Sequence, residues 1–195
     1  HPVVVNLSAT QRPLGHPSNL DSLIERHREG VLFVAAAGKG SGRIDSRNHC
    51  ILRPACLSTY AENTNVISVA ALDPSGGRPL TASGAEPPDY GPVFDVAAVG
   101  AVTGPFHGNA FGPMAGSSVA APYVTALASL IQAVSSPRRP GPLAPWRLKQ
   151  RIFSTADYSL ALLDVARYGR INFSRALAID KEQWRLKPSS GAPER

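Results

Sequence analysis

The sequence predicts an α/β fold with a mostly parallel sheet flanked by helices, and three observations carry that prediction. Apolar runs rich in β-branched residues recur at 1–7, 31–37 and 65–72 without the polar alternation of a half-solvated strand, as expected where both faces of a sheet are covered. Helical patterns stand between and after those runs, and such alternation goes with parallel strands joined by crossovers. Residues 118–134 are almost wholly apolar, which marks a helix buried all round.

The elements follow in order. Val3-Val4-Val5-Asn6-Leu7 is the body of the first strand, and residues 8–18 are a polar loop containing Pro13 and Pro17. Ser18 or Asn19 caps a helix that runs to about Arg28, with Leu20, Leu23 and Ile24 on one face, and Gly30 stops it. The second strand, 31–37, ends at Gly38-Lys39-Gly40-Ser41-Gly42. Residues 43–60 are irregular; 65–72 form the third strand, closed by the turn Asp73-Pro74-Ser75-Gly76-Gly77. A loop over 79–92 leads to a fourth strand at 93–98, and 99–114 is rich in glycine and aromatics, with Phe106, His107 and Phe111. After the apolar helix, 135–145 holds four prolines and reads as a linker. Pro145 starts a helix to Thr155, a short helix covers 174–179, and the polar tail 180–195 is expected to be disordered. Residues 1–179 are read as one domain.

At 195 residues the chain is long enough for a single domain with a sizeable core. No uninterrupted apolar run approaches the roughly 20 residues that cross a bilayer, so no membrane span is expected. The chain opens inside a strand pattern at His1, with no leader-like sequence ahead of it; the expectation is a fragment, or a chain cut from something longer. The net charge of +6 is uneven: 8 Lys+Arg face 9 Asp+Glu up to Pro137, and 12 face 5 beyond it. Nucleic-acid surfaces can carry such a surplus, but no aromatic or glycine-rich RNA motif accompanies it. A solvated positive face is therefore expected, with no nucleic-acid partner. Cys50 and Cys56 either close a small disulfide in an oxidising compartment or stand as two thiols. His49 adjoins them, but no second Cys-x-x-Cys or His-x-x-x-His pair exists, so neither a metal nor another cofactor is expected.

Sites in parallel sheets lie beyond the carboxyl ends of the strands. That directs attention to Ser8-Ala9-Thr10, to residues 37–42, and to Gly116-Ser117-Ser118-Val119-Ala120-Ala121-Pro122. The last run places a glycine-flanked hydroxyl at the first turn of a buried helix. Unpaired N–H groups and positive potential there favour negative charge forming beside the serine. Read from spacing alone, Ser117 or Ser118 either caps the helix or serves as a nucleophile.

This run resembles the Gly-Thr-Ser-Met-Ala-(Ala/Ser)-Pro nucleophile motif of the subtilisin-like serine peptidases, with Ser118 in the nucleophile place. Further segments resemble that family in order: Val4-Val5-Asn6-Leu7-Ser8, Val34-Ala35-Ala36-Ala37-Gly38, Arg53-Pro54-Ala55, Asn65-Val66-Ile67-Ser68-Val69-Ala70-Ala71, Asp95-Val96-Ala97-Ala98-Val99-Gly100 and Gly169-Arg170-Ile171-Asn172. The resemblance implies the C-terminal half of a three-layer subtilisin-like domain, incomplete at its N-terminal side. It implies peptide-bond hydrolysis through an acyl-enzyme on Ser118, with a peptide or protein as substrate. Ser8, Ala9, Thr10, Ala36, Ala37, Gly38, Gly116 and Ser117 would line the substrate cleft, and Arg53-Pro54 stands where the family often has a cis peptide. Family members usually act outside the cytoplasm, so an extracytoplasmic or secreted setting is suspected.

Two departures accompany the match. Lys39 occupies the place of the asparagine that donates to the oxyanion, a donor whose loss in subtilisin itself costs about 10²–10³ in turnover. The family's Asp and His motifs have no counterpart here. A serine hydroxyl is a poor nucleophile until an oriented base takes its proton. Of the five histidines, only His107 lies near the cleft in sequence terms. The Asp and His are expected from an upstream half of the same domain, and the isolated chain is expected to be inactive. The competing expectation is a noncatalytic peptide-binding or scaffold module.

Overall fold

In the computed structural model, which describes residues 3–11, 19–60, 63–81, 87–135 and 141–178, four parallel strands lie side by side in chain order. They are β1 (Val3–Leu7), β2 (Val31–Ala36), β3 (Val66–Leu72) and β4 (Val96–Val99). Val5 pairs with Phe33, Val34 with Ile67, and Val69 with Val96. Because side chains alternate along a strand, the two faces feed two separate cores. On one face Leu32, Val34, Ala36, Ile67, Val69 and Ala71 pack under α2 (Ser117–Ser135), α3 (Pro145–Ser154) and α5 (Phe173–Leu177). On the other, Phe33, Ala35, Val66 and Ala70 pack against Ile24 of α1 (Asn19–Arg26), Leu162 of α4 (Leu160–Leu163), and the irregular segment around Leu52 and Cys56. The result is the expected sheet between two helical layers. Cys50 and Cys56 are joined by a disulfide across six residues, and the Arg53–Pro54 peptide is cis.

The apolar helix begins at Ser117, one residue earlier than its sequence pattern. Its 19 residues, with a mean hydropathy of 1.3, are long and apolar enough to cross a membrane. Ser118, Pro122, Thr125, Ser129 and Gln132 interrupt its apolar residues, so no unbroken apolar run announces that length. Ala120, Val124, Leu127 and Ile131 are buried against the sheet.

Three segments depart from expectation. Residues 99–114, read in sequence only as rich in glycine and aromatics, form an antiparallel hairpin, β5 (Ala101–Phe106) and β6 (Ala110–Ala115), closed through His107-Gly108-Asn109 with Gly108 and Asn109 at positive φ. Its Gly104, Pro105, Gly112 and Pro113 are poor strand formers, and most of it faces water, so neither propensity nor burial announces it. Within 93–98, the strand starts only at Val96. Asp95 turns its carboxylate inward to accept from the Ser68 N–H (3.0 Å), and its own N–H donates to Ser68 Oγ (2.9 Å). Helix α4, unforeseen, is a single turn whose cap Ser159 accepts from the Leu162 N–H. The tail over 180–195 lies outside the described residues.

Gly38, which follows β2, has φ +107, and a Cβ there would collide with the Leu52 side chain and meet Thr10 Oγ1 and Asp89 Oδ2 at 3.3 Å. Only glycine lets the strand end approach these three groups.

Candidate active site

The carboxyl ends of β1 and β2 and the N-terminus of α2 converge on one cleft of about 440 Å³. Ser8, Ala9, Thr10, Ala36, Gly38, Lys39, Gly116, Ser117 and Ser118 line it, together with Pro88 and Ala115, which the sequence reading did not select. Ala37 does not join them. It is fully buried and faces the opposite core, because it is one residue out of phase with Ala36. Lys39 is exposed, and its backbone forms an antiparallel bridge to Pro88.

The two serines of the motif have different surroundings. Ser117 is buried, its Oγ accepting from the Gly38 N–H at 3.0 Å and donating to the Gly38 carbonyl at 3.3 Å. It fastens the start of α2 to the end of β2. Ser118 is exposed, and its Oγ donates to the Ser8 carbonyl at 2.9 Å. Reciprocally, Ser8 Oγ donates to the Ser118 carbonyl at 2.9 Å.

That second bond has a cause in the motif's final residue. In an α-helix the N–H of residue 122 would bond the carbonyl of residue 118, but Pro122, inside α2, has no N–H. The carbonyl of Ser118 is therefore left for Ser8. Behind Ser8 a chain of polar groups runs along the sheet edge: Asn6 Nδ2 donates to Ser8 Oγ (2.8 Å), and Thr125 Oγ1 donates to Asn6 Oδ1 (3.0 Å). Strand β1 and two turns of α2 are thus laced around the hydroxyl. At the start of α2 the Val119 and Ala120 N–H groups donate to the Gly116 carbonyl at 3.0 and 3.2 Å, and the positive end of the helix dipole lies beside Ser118.

No described histidine reaches Ser118. His27 is exposed just beyond α1, His49 is bonded to Ser46 (3.1 Å), and His107 sits at the hairpin tip against Phe106. With about 3.3 Å per residue, the six-residue strands hold His107 some 17 Å or more from the hairpin base that precedes Ser118. Among the described residues, no group of three His, Cys, Asp or Glu is assembled that would hold a metal. Asp89 was missed by sequence reasoning. Fully buried, it accepts from the Ser41 and Gly42 N–H groups at 2.7 and 2.9 Å and so shapes the loop that carries Lys39. A lone carboxylate in a proline-rich loop carries no sequence signal of that duty.

This arrangement, a serine at the start of a helix packed on the sheet beyond the ends of parallel strands, defines a subtilisin-like α/β fold. The model of the subtilase family of S8 peptidases matches residues 1–177, and the chain belongs to that family of serine proteases. It is 30% identical over 143 residues to the thermostable alkaline protease of Halalkalibacterium halodurans, a match that covers 72% of this chain and 33% of that protein. Among solved structures, the A-subunit of the AB5 toxin from E. coli aligns with a TM-score of 0.69 and 25% identity, over 89% of this chain and 59% of that one. The prenylagaramide maturation protease PagA shares the fold at a TM-score of 0.66 and 22% identity, over 89% and 60%. The chain thus spans about a third of the curated relative and about three fifths of the solved ones.

Proposed function

We propose that this chain carries the nucleophile of a subtilase-type endopeptidase, with Ser118 forming the acyl-enzyme and an upstream half of the same domain supplying the His and Asp. In this reading residues 1–179 are the C-terminal half of the catalytic domain. The observation that carries it is the hydrogen bond from Ser118 Oγ to the Ser8 carbonyl. An amide carbonyl holds the hydroxyl in place but does not take its proton, so attack awaits an imidazole braced by a carboxylate. Once one is present, Oγ attacks the scissile carbonyl, its proton passes through the imidazole to the departing amine, and water then releases the acyl group. Extended substrate would pair with Ser8, Ala9 and Thr10 as an added strand, with Ala36, Gly38, Gly116 and Ser117 walling the cleft. The Cys50–Cys56 disulfide supports an oxidising, extracytoplasmic setting.

A fluorophosphonate probe tests this reading. The chain alone should remain unlabelled, and the chain assembled with the upstream half should be labelled at Ser118 and lose labelling in Ser118→Ala. A folded assembly that resists the probe would sink it. Lys39 at the oxyanion position favours a second reading, a peptide-binding module without turnover. That reading predicts peptide affinity indifferent to Ser118→Ala in a probe-resistant assembly.

A further inference from the structure

Two hydroxyls and one amide stand in a row beside Ser118, and the order of their protons decides how Ser118 is held. Asn6 Nδ2 lies 2.8 Å from Ser8 Oγ, Thr125 Oγ1 lies 3.0 Å from Asn6 Oδ1, and Ser8 Oγ lies 2.9 Å from the Ser118 carbonyl. A side-chain amide turned end for end keeps its shape, so its direction is read from the partners it satisfies.

Two arrangements fit these distances. In the first, Asn6 Nδ2 donates to Ser8 Oγ, the single Ser8 proton points at the Ser118 carbonyl, and Oδ1 accepts from Thr125. In the second, Oδ1 faces Ser8 and takes its proton, Nδ2 donates to Thr125 Oγ1, and Thr125 gives its proton to the Ala121 carbonyl, 3.1 Å away. The second arrangement leaves two oxygens, Ser8 Oγ and the Ser118 carbonyl, 2.9 Å apart with no proton between them. Water cannot enter so short a gap. It also strands a carbonyl that Pro122 has already cut off from the helical ladder. The first arrangement pairs both, with Thr125 sharing its proton between Asn6 Oδ1 and the Ala121 carbonyl. Ser118 Oγ meanwhile donates to the Ser8 carbonyl at 2.9 Å. Ser8 thus grips Ser118 by two bonds, and the direction of one of them depends on Asn6.

We propose that Asn6 is a positioning residue for Ser118. Its amide donates to Ser8 Oγ, aims the Ser8 proton at the Ser118 carbonyl, and so completes the two-bond clamp on the residue that carries the nucleophile. Asn6 acts only through Ser8 and does not touch the hydroxyl of Ser118. For the reaction this role rests on the peptidase reading; the direction of the protons does not.

The Ser118 carbonyl reports that direction in the full chain. Only Ser68 and Ser118 precede a valine. With carbonyl-¹³C serine and ¹⁵N valine, an HNCO spectrum therefore shows two signals, one of them lost in Ser118→Ala and the other, from Ser68, serving as reference. Ser8→Ala removes the bond and defines the full upfield displacement of the Ser118 signal. Asn6→Asp is close in shape but, ionised at neutral pH, accepts at both oxygens. It should draw the Ser8 proton away and reproduce that displacement. Asn6→Ala leaves Ser8 free to keep its aim and should move the signal less than half as far. In a Ser8→Ala background Asn6→Asp should add nothing, which separates proton direction from the mere arrival of a charge. An Asn6→Asp signal at the parent position, an Asn6→Ala displacement as large as that of Asn6→Asp, or an Asn6→Asp displacement that persists without the Ser8 hydroxyl would each overturn the proposal. In the chain assembled with the upstream half, Asn6→Asp should slow fluorophosphonate labelling of Ser118 about fivefold, the worth of one hydrogen bond. Labelling at the parent's rate would overturn the positioning role. A parent assembly that resists the probe would instead defeat the peptidase reading, and the carbonyl signal would still decide the direction of the protons.

Discussion

The Ser118 hydroxyl is held by residues that a contiguous motif only half reveals. Ser118 could be singled out because Gly116 to Pro122 is an unbroken string that resembles one family motif. The bonds that hold it could not, since Ser8 and Ser118 are 110 residues apart in sequence. Nothing local says that the end of one strand will meet the start of that helix. Pro122 links the two levels, and a double-mutant cycle makes the link measurable. Ser8→Ala removes the hydroxyl bonded to the Ser118 carbonyl, with an expected loss of about 1 kcal/mol in urea denaturation, water softening the effect at this partly open site. In a Pro122→Ala background the restored helical N–H takes over that carbonyl, and the same Ser8→Ala change should cost less than half as much. Additive losses would show that the proline does not free the carbonyl.

At the level of elements, β2 and β3 were legible because burial on both faces leaves an uninterrupted apolar trace, whereas α2, expected to be buried all round, buries only the face of Val124, Leu127 and Ile131 and leaves Tyr123 and Leu130 exposed. The hairpin β5–β6 and the turn α4 were not legible: an exposed hairpin with two prolines leaves no periodicity to read, and a single helical turn is shorter than any window. Charge also joins elements in ways that sequence hides. Asp157 follows α3 and gathers Asn172 Nδ2 at 2.8 Å, Arg170 Nη2 at 3.1 Å and Arg175 Nη1 at 3.4 Å, tying α5 to the end of α3. The Asn172 hydrogen bond first, and then Arg170, hold its carboxyl below the ordinary carboxylate value. A depressed folded value means that the stabilisation is complete above the unfolded pKa, about 3.9. It is lost as the pH falls through the lower folded one. Asp157→Asn should therefore lower the melting temperature at neutral pH and make the acid limb of the stability curve shallower between about pH 5 and 2. A variant whose acid limb matches the parent's would show that this cluster does not titrate with folding.

For the molecule as a whole, the β1 side of the sheet is where behaviour in solution is decided. β4 is bordered by the segment that returns through Ile171, whose N–H donates to the Ala97 carbonyl. β1 pairs only with β2 among the described residues, and its Val3 is 50% exposed. An open apolar edge recruits further strands. Sedimentation velocity on the chain alone should show self-association rising over about 1–100 μM, the range in which such edges aggregate, and Val3→Lys should suppress it. A monomer at every concentration would remove the open edge as a factor. The resting place of Ser118 has a temporal meaning beyond its geometry. The Ser8 carbonyl is too weakly basic to deprotonate an alcohol at any physiological pH, so under the proposed function timing would be set by whatever brings an imidazole to Ser118. The hydroxyl is anchored beforehand, and arrival of the base would be the switch.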